Sequence, residues 1–148
     1  MINRIGLIVG VALALLAGLA PRAQTPAVVA QDAWVRQPAA GRDVTAAYLV
    51  VENHGPAARA IVGASSDAAA TLELHEMKIE NGMMRMSPVD RIDVPAGGRA
   101  ELKPGGFHIM IFGVKKPLEP GTTLPITLKL DDGSTLPVRA TVRKAGAQ

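Results

Sequence analysis

From residue 32 to residue 142 the apolar residues fall into short β-prone runs, each closed by a cluster of Gly, Pro, Asn or Asp. No segment keeps an amphipathic helical period for more than about two turns, and with 15 Gly and 11 Pro this argues against a helical bundle. The pattern predicts strands over 32–36, 46–52, 60–64, 71–79, 83–86, 91–94, 99–102, 107–114, 124–130 and 135–142. Asn81-Gly82 falls between two of these runs. Both central residues of a type I′ turn need positive φ, which makes this pair a strong hairpin signal. Asp131-Asp132-Gly133-Ser134 marks a second hairpin, and Asn53-His54-Gly55-Pro56 a turn. Short strands at this spacing argue for an all-β sandwich or barrel.

The amino-terminal segment has a different character. Arg4 precedes an apolar run from Ile5 to Ala20, and small residues with Pro21 follow. The run is short for a membrane span and reads as a secretory signal peptide over 1–23, with cleavage after Ala20, Ala23 or Ala30. Export to the periplasm is the expectation. Without Arg4 and Arg22, 14 basic residues face 13 acidic ones, a net charge of +1. A nearly neutral domain has no electrostatic footprint for nucleic acid.

Function classes narrow further on cysteine, which is absent. Disulfide frameworks, Cys-based zinc sites, catalytic thiols, iron–sulfur centres and thiolate-bound blue copper are thereby excluded. No nucleophile-elbow pattern is present, and Asp131-Asp132 reads as turn chemistry, so an enzyme is not expected.

Five methionines, Met77, Met83, Met84, Met86 and Met110, lie within residues 77–110, together with His108 and just after His75. His75/Met77 and His108/Met110 are each spaced i, i+2, which in a strand puts both side chains on one face. Thioether with imidazole is a soft donor set that favours Cu(I) over oxygen-seeking Ca²⁺ or Mg²⁺. Neutral imidazole is the ligating form, so affinity is expected to fall below about pH 6. Methionine is also adaptable core material, and Met83 and Met84 read as gap fillers of that kind. His54 reads as a turn residue.

His75, Met86, His108 and Met110 follow one another as H-x10-M-x21-H-x-M. With 3 His and 6 Met in 148 residues, chance would supply this spacing with a probability on the order of 10⁻⁴, far below that of most short motifs. The spacing resembles the signature of the PCu(A)C family of periplasmic copper chaperones. Further stretches share the resemblance: Ala33-Trp34-Val35-Arg36, Ala47-Tyr48-Leu49, Glu52-Asn53-His54-Gly55, Leu74-His75-Glu76-Met77 and Gly105-Gly106-Phe107-His108-Ile109-Met110. It covers residues 31–143, the whole expected domain.

The resemblance implies a cupredoxin-like Greek-key β-barrel or sandwich. It implies one Cu(I) per monomer, held at a surface site by His75, Met86, His108 and Met110, with Met77 as an alternate ligand. The implied function is to carry copper toward the dinuclear copper site of cytochrome c oxidase subunit II, or to another copper carrier. Such a protein is expected to be a monomer that touches the membrane only through its partner. A periplasmic copper buffer or resistance protein without a dedicated client is the alternative.

Overall fold

The computed structural model describes residues 24–146. The expected leader, 1–23, lies outside the described residues. Ten strands follow in chain order: β1 (Val28–Arg36), β2 (Thr45–Asn53), β3 (Arg59–Ser65), β4 (Ala69–Glu80), β5 (Met83–Pro88), β6 (Ile92–Val94), β7 (Arg99–Leu102), β8 (Phe107–Val114), β9 (Thr123–Leu130) and β10 (Thr135–Arg143). No helix is present among the described residues. The expected strands all form; seven run longer than the pattern suggests, two match it, and β6 is one residue shorter. β1 gains most, beginning at Val28 where the alternating pattern suggests Asp32.

Hydrogen-bonded neighbours run β5-β4-β8-β2-β1-β10-β9-β3-β6, and β7 joins β2. The path does not close on itself, so the architecture is an open β-sandwich of the two forms expected. β2 explains how one path makes two layers. Thr45–Ala47 pair with β8, whereas Leu49–Glu52 pair with β7. One strand thus hands its edge from one partner to the next. β1 and β10 pair in parallel, at Trp34–Arg36 against Thr141–Arg143.

The main core lies between the layers, where alternate residues of each strand meet. It includes Leu72 and Leu74 of β4, Ile109 and Ile111 of β8, Leu124, Ile126 and Leu128 of β9, and Val138, Ala140 and Val142 of β10. Period-two alternation then turns His75, Met77, His108 and Met110 toward the outer face of the sheet. A second small cluster, Trp34, Ala46 and Tyr48 with Met110 against it, covers part of that face.

Trp34 reaches this face because of a bulge. The β1–β2 register slips by one residue between Gln31 and Trp34. Asp32 occupies the slip with φ of 51°, a left-handed conformation that Asp tolerates better than most residues. Before the slip Val28 and Ala30 pack on the main core; after it Ala33 and Val35 do. Trp34 and Arg36 are therefore turned outward, toward the histidines.

Asn81 and Gly82 have φ of 52° and 75°. They form the two-residue link between β4 and β5, as the type I′ reading requires. Asp131 to Ser134 likewise join β9 to β10, with the Leu130 amide donating to the Ser134 carbonyl. The core reading of Met83 and Met84 is not what the structure has. Both side chains are exposed, as is every residue of β5. β5 is an edge strand that no second layer covers, so Met83 and Met84 stay exposed.

Candidate metal centre

β4 and β8 run antiparallel with His75 directly opposite His108. β4 and β5 run antiparallel with Met77 directly opposite Met86. Residues opposed in a ladder share a face. His75, Met77, Met86, His108 and Met110 therefore project from one surface across three adjacent strands. The imidazole rings have their centroids 5.8 Å apart. Met77, Met86, His108 and Met110 line one cleft of about 240 Å³, together with Arg36, Thr45 and Tyr48. His75 sits beside the cleft, its ring between those of His108 and Phe112.

Both histidines are buried, His75 at 9% and His108 at 2% relative exposure. Each has one ring nitrogen engaged and one without a partner. His108 Nδ1 lies 3.0 Å from the Gly106 carbonyl oxygen. A carbonyl can only accept, so Nδ1 carries the proton and the Nε2 lone pair is free. His75 Nε2 lies 2.8 Å from a Glu73 carboxylate oxygen. Nε2 is then the donor there, and the Nδ1 lone pair is free. His108 Nε2 and His75 Nδ1 are the buried side-chain nitrogens without a hydrogen-bond partner among the described residues.

Buried polar atoms left unpaired are costly, roughly 1–3 kcal/mol each. Two of them on facing residues, both with free lone pairs, suit an electrophile placed between imidazoles. Metal-ligating histidines commonly donate their second ring N–H to a carboxylate or a backbone carbonyl, which fixes tautomer and orientation. Glu73 and Gly106 make hydrogen bonds of these two kinds to His75 and His108. The Gly106 carbonyl also accepts from the Met77 amide at 3.1 Å, tying the loop before β8 to β4.

Burial pushes the His108 pKa below that of free imidazole; the bond to Gly106 opposes it, and the positive charge of Arg36, with that of His75 whenever its ring is protonated, adds to the lowering. The ring is thus held neutral, the form that binds metal. No group of three or more His, Asp or Glu side chains is gathered among the described residues. The soft atoms of the cleft are its thioethers. Met86 is 47% exposed, whereas Met77 and Met110 are partly buried.

The donor types and their i, i+2 pairs were readable in the sequence. Glu73 was readable in principle, since it precedes His75 by two and shares its face. Arg36, Trp34 and Tyr48 arrive through strand pairing alone. Trp34 and Tyr48 pack with ring centroids 4.5 Å apart, and Tyr48 lies 6.3 Å from His108. His54 stands apart from this face, exposed and 3.1 Å from Glu52.

Comparison with known proteins bears on the fold and the family. The family described as "Putative lipoprotein LpqE-like" matches residues 28–142. A relative from Leifsonia xyli subsp. xyli (strain CTCB07), named "Putative lipoprotein Lxx21020", is 43% identical over 124 residues, which is 83% of this chain and 74% of that protein. The solution structure of CuI-DR1885 from Deinococcus radiodurans is 35% identical, with a TM-score of 0.62 over 88% of this chain and 87% of that one. The copper-bound PCuAC domain from PmoF2 shares the fold at 20% identity, with a TM-score of 0.69 over 82% of this chain and 96% of that one. Family match, close relative and fold all converge, and the chain belongs to the LpqE-like family, which is the PCu(A)C family.

Proposed function

We propose that the protein binds one Cu(I) through His75 Nδ1, His108 Nε2 and the thioethers of Met86 and Met110, and carries it outside the cytosol. The observation that carries this reading is the pair of free, buried imidazole lone pairs on directly opposed residues. Met77, in register with Met86 and lining the same cleft, serves as the alternate thioether. The copper named for the Deinococcus radiodurans structure, at 35% identity, supports the same cargo.

Neutral donors suit a carrier. They leave the loaded site with the charge of the ion alone, and they present no thiolate bond that must be broken on release. Met86 is the most open of the four proposed donors and is the natural first ligand to yield to an incoming one. The role is transport, not catalysis. The recipient we propose is the dinuclear copper site of cytochrome c oxidase subunit II or another copper carrier, met by a monomer whose only membrane contact is that partner. Segment 1–23 is proposed as the export leader and residues 31–143 as the copper-carrying domain. The lipoprotein name of the Leifsonia relative supports an envelope location.

X-ray absorption of the Cu(I)-loaded protein tests the ligand set. Two nitrogen and two sulfur scatterers are expected, and a shell without sulfur overturns it. Transfer of the ion to an apo oxidase domain, compared for the wild type and His75 and Met110 variants, tests delivery. Tight binding without transfer would leave a copper buffer instead.

A further inference from the structure

The cleft that holds the thioethers also holds a guanidinium. Arg36 lines it alongside Met77, Met86, His108 and Met110. Its Cζ lies 5.4 Å from the centroid of the Tyr48 ring, over the face, and Tyr48 is the neighbour of His108. The backbone beneath Arg36 is fixed on both sides. Thr45 Oγ1 donates to the Arg36 carbonyl, and the Gln37 amide donates to the Arg143 carbonyl at 2.7 Å. Arg36 forms no ion pair with a carboxylate among the described residues. A stacked, unneutralised cation beside a cation-binding cleft costs affinity, so its presence there calls for a function.

We propose that Arg36 is a specificity-determining residue, a charge filter that disfavours divalent ions against monovalent ones. The inference rests on the copper-site reading above. Imidazole and thioether donors discriminate mainly by softness and, being neutral, carry no charge that penalises a dication. Arg36 supplies the missing criterion. Its repulsion is proportional to the charge of the bound ion, so a dication meets twice the energy that a monocation meets. An energy that doubles becomes a fold-change that squares. Glu73 attracts both kinds of ion from the His75 side, and its contribution is common to every variant that keeps it.

Ag(I) and Cd(II) make the test clean. Both are closed-shell d¹⁰ ions, stable in air, and they differ in charge. Titrations of the whole protein at low ionic strength are followed by the ring-proton resonances of His75 and His108. For Arg36→Gln, Ag(I) affinity is expected to rise about 3- to 10-fold and Cd(II) affinity about 10- to 100-fold, the second factor near the square of the first. Arg36→Lys keeps the charge and is expected to hold the wild-type ratio of the two affinities. Arg36→Met removes the charge but keeps an unbranched side chain that can still cover the Tyr48 ring; it is expected to give the same squared relation and covers the case in which Arg36→Gln does not fold. Equal fold-changes for the two ions, in whichever neutralised variant folds, overturn the filter and leave the copper site standing. Failure of Ag(I) and Cu(I) to shift either histidine in the wild type overturns the copper site, and the filter with it.

Discussion

His75 and His108 face each other in direct register across β4 and β8, and on this shared face of the sheet each buries a ring nitrogen that no protein group satisfies. The hydrogen bonds to Gly106 and Glu73 on the other ring nitrogens fix the tautomers. In the metal-free protein, nitrogen NMR should find His108 protonated on Nδ1 and His75 on Nε2. The opposite tautomer at either ring would remove the free donor and contradict the arrangement.

Neutral His108 links stability to pH. Its pKa in the folded protein is lowered by burial, so between that value and about 6.5 the unfolded chain binds a proton that the folded chain does not. Stability is therefore present in full above about pH 6.5 and is lost as pH falls toward the lowered value. His108→Phe should flatten this part of the profile in denaturant melts between pH 7 and pH 5. An unchanged slope would show that the ring titrates normally.

The two opposed thioethers differ in setting, Met86 open and Met77 partly covered. Met86→Leu is expected to weaken Cu(I) binding by about 10-fold or more, a loss of the size seen when a ligand or its support is removed. Met77→Leu should cost several-fold less. Competition against a chromophoric Cu(I) chelator measures both, and a reversed order would exchange the roles of the two residues.

Asn53 closes the turn after β2 from inside the core. Its Nδ2 donates to the Ala57 and Val94 carbonyls at 2.8 and 3.2 Å, and its Oδ1 accepts from the Gly55 amide at 3.0 Å. It is 1% exposed. Asn53→Ala leaves these groups unpaired and should destabilise by about 2–4 kcal/mol. Thermal melts with loss of under 1 kcal/mol would mean that water replaces the side chain.

Gly113, near the end of β8, has φ of 68°, and a Cβ there would lie 2.7 Å from the Ala70 Cβ. Gly113→Ala combines an unfavourable backbone with a clash across β4. A loss of about 2 kcal/mol or more is expected in a denaturant titration, and a neutral result would require β4 to shift away.

Much of this molecule was set by local chemistry. Alternation and turn residues mark the strands, and Asn81-Gly82 fixes the β4–β5 register because only residues that accept positive φ fit a two-residue link. The i, i+2 pairs put His75 with Met77 and His108 with Met110 on shared faces, since side chains in a strand alternate. Register between distant strands is another matter. His75 meets His108 through the β4–β8 ladder, and Arg36 and Trp34 reach the same face through a one-residue slip at Asp32, which turns every later side chain of β1 over. The burial that frees two lone pairs, and the exposure that leaves Met83 and Met84 uncovered, depend on which layers pack over which strands. Those are long-range relationships, and no window along the chain contains both partners.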